Sequence, residues 1–240
     1  MPRFPHDKLC PVRVKRERRK EARPGELIQA ALELFVEKGF AATRSEEVAA
    51  RAGVSKGTLF LYFQSKEDLL RAVITENLAG RFPEWNEEFE SFEGSTADML
   101  RYCTRVWWER VGATPVAGLT KLMLSEGNNF PALASFYQRE VVRPGNALMR
   151  RILRRGIDSG EFLPVDVDHA IYAVIAPMVF LFLARHSATC VDHDIALDPL
   201  QYIATQTEIV IRGLSLPPPA SPTPPKIAGL PEPTRKRENP

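Results

Sequence analysis

Hydroxyl and ammonium groups cluster at short spacing between residues 55 and 62. Ser55, Thr58 and Tyr62 carry hydroxyls, and Lys56 carries an ammonium. Thr58 and Tyr62 are four residues apart, so in a helix they lie on one face. Lysine and tyrosine donate to phosphate oxygens, and a threonine can contact a phosphate, a base edge or a thymine methyl. The spacing therefore predicts a short helix whose exposed side could bind nucleic acid.

Capping and turn signals predict the helices that would position these groups. Thr43 and Glu46 have the spacing of a capping box and predict the start of a short helix. Gly53 ends that helix, because glycine takes a positive φ without steric cost. Ser55 is placed to cap a second helix over residues 56–63. Two helices joined by a turn that contains glycine form a helix-turn-helix, whose second helix can lie in the major groove.

The same stretch resembles a known family. Residues 49–63 read AARAGVSKGTLFLYF and are followed by Ser65, Lys66 and Glu67. This long, ordered pattern resembles the N-terminal domain of TetR-family transcriptional regulators, and the close match covers about residues 26–70. The resemblance implies that the second helix is the recognition helix, with DNA-facing positions at Ser55, Lys56, Thr58, Leu59 and Tyr62. Three further contacts are expected at helix starts, where N–H groups and positive charge meet phosphates: Thr43, Arg44 and Lys66.

Two residues depart from the family pattern. Phe60 stands where members often have tyrosine, so one hydroxyl contact is missing. Glu46 stands where many members have a basic residue, and Arg44 could substitute for it. The structural alternative is a three-helix bundle with no role in DNA binding.

Charge is concentrated at the N-terminus. Up to Arg23 the chain carries nine basic and three acidic residues, a local charge of +6, whereas the whole 240-residue chain carries +2. A basic arm on a mildly acidic body suits attraction to phosphates. The arm could enter a minor groove or contribute only nonspecific affinity as a solvated tail.

Cysteine usage and hydropathy bear on the compartment. The three cysteines are widely spaced, which is no disulfide framework and fits a reducing cytoplasm. No secretory signal pattern follows the N-terminal charges. The longest apolar run, residues 170–184, is shorter than the ~20 residues of a membrane helix. The sequence predicts a cytoplasmic protein without a membrane partner, in which this run is a buried helix.

Helical periodicity continues along the chain, and no alternating strand pattern occurs. Helices are predicted from Pro24 to a stop at Gly39, and from a Ser65 cap onward. The segment Arg81 to Gly94 is expected to be a frayed helix end and a loop. Further helices are expected at about 96–111, 115–125, 131–159, 167–188, with a kink at Pro177, and 199–214. The fold class is all-α, with a three-helix helix-turn-helix domain followed by a helical domain for ligand binding and dimerisation. The predicted divisions are a disordered basic arm (1–23), a DNA-binding domain (24–80), a ligand-binding and dimerisation domain (81–216) and a disordered proline-rich tail (217–240).

The second domain resembles the AcrR type of the same family, on residues 126–131, 143–144 and 156–162. The resemblance implies an effector pocket between the middle helices, where large, soft or aromatic side chains suit a hydrophobic or planar ligand. Simple core packing is the alternative for each of them. The candidates are Tyr102, Cys103, Trp107, Met123, Phe136, Tyr137, Met178 and Phe182.

The last two helices match the pair that forms the four-helix dimer interface in this family. A homodimer is expected because one recognition helix reads few base pairs and two-fold symmetry matches a palindromic operator in double-stranded DNA. The predicted interface residues are Ile175, Val179, Ile203, Ile209 and Val210.

Two other interpretations concern individual side chains. His186, Cys190 and His193 could bind a transition metal, but chance clustering at a helix end is favoured, so neither a metal nor a cofactor is expected. Cys103 or Cys190 could be a redox-sensing thiol, although a buried cysteine usually packs as a small hydrophobe.

The predicted function is a homodimeric repressor that a small effector releases from DNA. Its rivals are a regulator controlled by a protein partner through the proline tail, and an enzyme, for which no phosphate-loop, dinucleotide, zinc-protease or hydrolase motif is found.

Overall fold

The computed structural model describes residues 23–186 and 197–215, and these residues fold into helices. No strand occurs among them, so the all-α prediction is confirmed. The N-terminal helices are α1 (Arg23–Lys38), α2 (Ser45–Arg51), α3 (Lys56–Tyr62) and α4 (Lys66–Asn77). The others are α5 (Phe82–Ser91), α6 (Thr96–Trp107), α7 (Ala117–Glu126), α8 (Pro131–Tyr137), α9 (Arg143–Asp158), α10 (Val167–His186) and α11 (Pro199–Ser215). The predictions for the basic arm, the proline tail and the segment with Cys190 and His193 lie outside the described residues.

The N-terminal unit is α1 packed against α2 and α4, with α3 beyond α2. The apolar residues of α1 recur at helical spacing, and Leu27, Ala31 and Phe35 are fully buried. They meet Leu69 and Val73 of α4, which are also fully buried. Complete burial of each such leucine or phenylalanine stabilises the fold by about 1.5–3 kcal/mol. This packing makes a rigid base for the short helices α2 and α3.

Local signals set most helix ends as expected. Gly39, Gly53 and Gly160 all have positive φ, at +86°, +67° and +77°, after α1, α2 and α9. Ser55 Oγ accepts a hydrogen bond from the N–H of Thr58, and Ser65 Oγ accepts one from the N–H of Asp68, at 3.1 and 3.0 Å. The predicted caps of α3 and α4 are confirmed.

The predicted cap of α2 is wrong. Arg44, not Thr43, precedes the helix, and Glu47, not Glu46, accepts from the backbone N–H of Arg44 at 3.1 Å. Thr43 Oγ1 instead donates to the carbonyls of Gly39 and Leu34, at 2.7 and 3.2 Å. Those two acceptors at the end of α1 shift the cap by one residue.

Residues 81–94 form more structure than expected. A 3₁₀ turn (Ala79–Arg81) leads into α5, so the predicted frayed end and loop are wrong. The acidic side chains of α5 find arginine partners on other helices: Arg110 pairs with Glu84 and Glu88, and Arg151 with Glu90. The sequence does not show such partners, because they lie far along the chain.

The predicted single helix over 131–159 is α8 and α9 joined by a π-helical turn (Gln138–Val142).

Helix α10 is apolar almost all round, yet this protomer does not cover it on all sides. Ile171 and Phe182 are buried, whereas Tyr172 and Phe180 are 52% and 36% exposed. The segment Val167–Arg185, with a mean hydropathy of 1.9, is long and apolar enough to cross a membrane, whereas the apolar run 170–184 by itself is too short. One helix of this kind is weak evidence for a membrane segment, because core helices of soluble proteins can have the same length and composition. The kink at Pro177 stays a prediction.

The core is continuous between the N-terminal unit and the helices that follow. One cluster of buried side chains includes Leu34 and Ile74 from the N-terminal helices together with Leu119, Leu133 and Phe182 from α7, α8 and α10. The helix-turn-helix is therefore packed against the rest of the protein and not tethered by a linker.

Candidate nucleic-acid interface

Helix α3 presents a mixed polar and apolar surface. Lys56 is exposed at its start, and Tyr62 is 39% exposed at its end. Thr58 is half-buried, and its Oγ1 lies 2.9 Å from Ser55 Oγ. These hydroxyls can each still accept or donate one further hydrogen bond. Four of the predicted DNA contacts, Ser55, Lys56, Thr58 and Tyr62, are therefore at least partly accessible.

Two apolar side chains on α3 are exposed, and the sequence analysis did not predict Leu61 as one of them. Leu61 is 83% exposed and Phe60 is 40% exposed. Leu61 is three residues after Thr58, so helical spacing places these two side chains on the same face. That spacing was the available signal. An apolar side chain there can contact a thymine methyl in the major groove.

Three of the eight predicted DNA contacts need correction. Leu59 is fully buried and packs inside the N-terminal core. Thr43 is 1% exposed, and its hydroxyl is already engaged by two carbonyls. The Lys66 ammonium donates to the carbonyls of Phe40, Ala41 and Thr43 at 2.7, 3.2 and 3.0 Å, which uses its three N–H groups. Arg44 is exposed at the start of α2, and its contact with DNA stays a prediction.

An ion pair occupies the start of α3. The Glu46 carboxylate of α2 lies 2.5 Å from the Lys56 ammonium. The hydrogen bond from Lys56 lowers the pKa of Glu46, so the carboxylate is charged at neutral pH. Lys56 also lies over the Phe60 ring, 5.7 Å from its centroid. A phosphate that approached Lys56 would compete with the Glu46 carboxylate for the same ammonium group.

Two family models match the chain. Residues 27–73 match the model for bacterial regulatory proteins of the tetR family, and residues 93–196 match the tetracyclin repressor-like C-terminal domain. The first match covers the helix-turn-helix, and the two together cover more than half of the chain. The chain belongs to the TetR family.

Curated relatives of this regulator are transcriptional regulators as well. The fatty acid metabolism regulator protein of Bacillus subtilis is 27% identical over 201 residues, which cover 81% of this chain and 98% of the relative. RutR of Escherichia coli K12 is 27% identical over 176 residues, which cover 68% of this chain and 74% of RutR. The matched family and these relatives make the protein a TetR-family DNA-binding transcriptional regulator, and none of these relatives is described as an enzyme.

Solved structures confirm the fold. FadR of Bacillus halodurans superposes with a TM-score of 0.65 at 22% identity, over 80% of this chain and 96% of FadR. FadR of Bacillus subtilis, solved in complex with stearoyl-CoA, gives a TM-score of 0.58 at 22% identity, over 79% of this chain and 98% of that protein. The likeness to the AcrR type in particular stays a prediction.

Five of the eight predicted pocket residues of this TetR-family regulator contact other side chains of the described core. Trp107 stacks on Phe182 with ring centroids 4.6 Å apart, which fills the space between α6 and α10. Tyr137 donates to or accepts from Thr120 Oγ1 at 2.9 Å, and its burial raises the pKa of its phenol. The guanidinium carbons of Arg71 and Arg139 lie 6.0 and 5.7 Å from the centroid of the Phe136 ring. Met123 packs against the core that holds the N-terminal helices. These contacts agree with the packing alternative for the five side chains, and their role in an effector pocket stays a prediction.

The remaining three predicted pocket residues lie along α6 and α10. Met178 lines a cavity of about 10 Å³ next to α11, too small for an effector. Cys103 is largely buried, and burial raises the pKa of its thiol to about 11. Tyr102 lines an open cleft of about 590 Å³ between α6 and the start of α11. The cleft is also lined by exposed Leu200 and by both cationic and acidic side chains, namely Arg101, Arg105, Asp98, Asp198 and Glu208.

The five predicted interface residues divide by exposure. Ile209 is 57% exposed, and Ile175, Val179 and Val210 are half-buried. Ile203 is 4% exposed and packs in the protomer core, so its assignment to a partner surface needs correction. The sequence could not show which of Ile203 and Ile209 packs in the core and which is exposed. Both are apolar residues of one helix, and that helix could contact the rest of its own chain on one side and a partner on another.

Proposed function

We propose that this regulator binds a palindromic operator in double-stranded DNA as a homodimer and that a small hydrophobic or aromatic effector releases it. The proposal assigns residues 24–80 to DNA binding and residues 81–216 to effector binding and dimerisation. The observation that carries it is the exposed face of α3, where Lys56, Thr58, Leu61 and Tyr62 combine phosphate donors with groups that can contact base edges. As a transcription regulator of this kind, it would act in the cytoplasm.

Dimerisation is supported by the exposed apolar side chains of α10 and α11. Tyr172 and Phe180 of α10 and Ile209 of α11 are all more than one-third exposed. A second protomer that covers them would remove this apolar surface from water. Because a two-fold axis repeats the same surface on both protomers, the interface would be a four-helix arrangement of α10 and α11 with their copies.

Effector binding is supported by the cleft between α6 and α11. Its volume of about 590 Å³ lies within the ~300–1,000 Å³ range of small-molecule sites. Tyr102 and Leu200 offer apolar surface, and Arg105 offers a cationic group to an acidic part of a ligand. Arg101 is already paired with Asp98 and Glu208, so an acidic ligand would have to displace these carboxylates to bind it. FadR of Bacillus subtilis binds stearoyl-CoA in its solved complex. An amphipathic acyl ligand is therefore one of the two probe classes to test, beside planar aromatic compounds.

Binding-site selection from random DNA tests the DNA-binding part of the proposal. The full-length dimer should enrich an inverted repeat whose half-sites are separated by about one helical turn or a multiple of it. An asymmetric or absent consensus would contradict the proposal of a two-fold symmetric complex.

Release of the selected operator tests the effector part. Fluorescence anisotropy with stearoyl-CoA and with planar aromatic compounds that do not bind DNA should show release by one class. Tyr102→Ala should weaken that response and leave effector-free operator affinity unchanged, whereas Phe136→Ala, outside the cleft, should not affect the response. Release by neither class would favour control by a protein partner.

A further inference from the structure

The turn between α1 and α2 is held from the side of the N-terminal unit. Lys66, at the start of α4, donates to the carbonyls of Phe40, Ala41 and Thr43. Its ammonium also lies 4.5 Å from the centroid of the Phe40 ring. Buried Thr43 adds two hydrogen bonds from its hydroxyl to the end of α1. The turn leads directly into Arg44, the residue that caps α2.

The same turn is held from the opposite side by the second part of the protein. Glu126 is the last residue of α7, and its two carboxylate oxygens accept from the backbone N–H groups of Phe40 and Ala41 at 2.8 and 3.0 Å. These partners are separated by 86 and 85 positions along the chain. Hydrogen bonds from N–H groups to a carboxylate are stronger than bonds between neutral groups.

The geometry of the turn is suited to this contact. The peptide group between Phe40 and Ala41 donates its N–H to Glu126 and offers its C=O to Lys66. A Cβ at Gly39 would lie 2.6 Å from Glu126 Oε1, so the absence of a side chain there lets the carboxylate approach. The Phe40 ring meets the Phe130 ring edge-on at 4.8 Å, which adds an apolar contact between the same two parts.

We infer that Glu126 is a positioning residue for DNA binding: it fixes the orientation of the helix-turn-helix relative to the dimerisation helices by binding the two N–H groups of the α1–α2 turn. The inference rests on the proposed binding of a symmetric operator. Helix α7 packs against α10, which carries part of the exposed apolar surface, so the carboxylate connects the DNA-reading unit to the part that sets the dimer geometry.

A fixed orientation of the helix-turn-helix affects which operator spacing the dimer accepts, and a change in fold stability alone would not have this effect. In a dimer, the distance between the two recognition helices selects the half-site spacing. A rigid connection penalises an operator in which one base pair is inserted or removed at the centre, and a loose connection tolerates it. Half-site sequence preference, in contrast, depends on α3 and is independent of Glu126.

The decisive variant is Glu126→Gln. It keeps the volume of the side chain but places an NH₂ donor against one of the two N–H donors. Glu76→Gln is the matched control, because Glu76 is an exposed carboxylate on α4 outside this contact. Operator affinity is measured by fluorescence anisotropy on the selected operator and on versions with the centre changed by one base pair. The affinity ratio between the original and altered operators should fall by about fivefold or more in Glu126→Gln and stay at its wild-type value in Glu76→Gln.

A second measurement is independent of any operator. Amide hydrogen exchange of Phe40 and Ala41, followed by NMR on the full dimer without DNA, should be faster by about tenfold in Glu126→Gln than in the wild type, with exchange in the α4 core unchanged. If Glu126→Gln does not fold, Glu126→Asp, which shortens the reach by one methylene, replaces it in both measurements.

The outcomes separate this inference from the proposed function. If the wild type selects no symmetric operator, the proposed function fails, and the exchange measurement alone decides the inference. If the wild type selects one but Glu126→Gln keeps the same spacing ratio, or if the two amides exchange at wild-type rates, the positioning role is overturned. Loss of affinity that is equal for all spacings, with unchanged exchange, also overturns it.

Discussion

Ile203 and Ile209 lie on different sides of α11. Ile203 is 4% exposed and packs in the protomer core, whereas Ile209 is 57% exposed. Six residues of an α-helix turn through about 600°, which leaves the two side chains well over 90° apart. The same helix therefore serves the core with one side and offers an apolar surface with another.

This relationship predicts opposite results for the same substitution. Ile209→Glu would place a charge in an apolar dimer interface and weaken the dimer by about 3–5 kcal/mol. The protein should become monomeric with native helicity and poor operator binding, as measured by analytical ultracentrifugation, circular dichroism and fluorescence anisotropy. Ile203→Glu should instead lower the free energy of unfolding and the melting temperature. An unaffected dimer in Ile209→Glu would place the interface elsewhere.

The exposed face of α3 predicts a graded set of DNA-binding defects. Lys56→Ala should weaken binding and reduce the salt slope by about one unit, because one phosphate contact is lost. Tyr62→Phe should cost about 1 kcal/mol of binding free energy. Thr58→Ala should alter sequence preference more than the other two. Anisotropy titrations at several salt concentrations would measure all three effects.

The melting temperature and the dimerisation of these α3 variants are the control measurements. Lys56 and Tyr62 are exposed, so their substitutions should leave dimerisation and the melting temperature nearly unchanged. Leu59→Ala is the contrasting variant, because Leu59 is fully buried and its truncation should cost about 2–5 kcal/mol of stability. Wild-type operator affinity in all three surface variants would show that α3 does not read DNA.

The ion pair between Glu46 and Lys56 predicts a gain of DNA affinity. Glu46→Gln removes a negative charge near phosphates and releases Lys56 from its partner. Nonspecific affinity should increase several-fold at low salt, and the salt slope should become steeper by up to about one unit. Glu76→Gln is a suitable comparison, because it removes the same charge from an exposed position on α4 and leaves the cap of α2 intact. Equal or weaker DNA binding in Glu46→Gln would mean that Glu46 supports the interface.

Burial of Cys103 predicts an unreactive thiol. Burial, with a smaller contribution from the negative charge of Glu88, raises the pKa of Cys103 to about 11. At pH 8 only about one thiol in a thousand is then a thiolate, the reactive form. Because the folded protein favours the neutral thiol, this group loses its contribution to stability as pH rises from its ordinary pKa toward 11.

The measurement uses a variant in which Cys10 and Cys190 are serine. Alkylation of Cys103 at pH 8 should be far slower in the native protein than in urea, and should accelerate as pH approaches 11. Rapid modification of the native protein, or loss of operator binding on mild oxidation that depends on Cys103, would support the redox-sensing alternative.

The sequence determined the features that depend on neighbours within one or two turns. Gly39 and Gly53 specify helix ends because a positive φ is cheap only for glycine, and Ser55 and Ser65 specify helix starts because their hydroxyls reach an N–H three residues on. The ordered residues of the helix-turn-helix also sufficed for the resemblance to the TetR family. Helical periodicity gave α10 and α11 to within a few residues.

Tertiary structure decided which face of each helix is available. Periodicity marks Leu59 and Ile203 as apolar positions, but only packing shows that both are inside the protomer while Leu61 and Ile209 are outside. It also decided which charged groups are already engaged: Lys66 by three carbonyls, and Glu126 by two N–H groups more than 80 positions away. Such contacts depend on how helices that are distant along the chain pack against each other, and local residue spacing does not specify that packing.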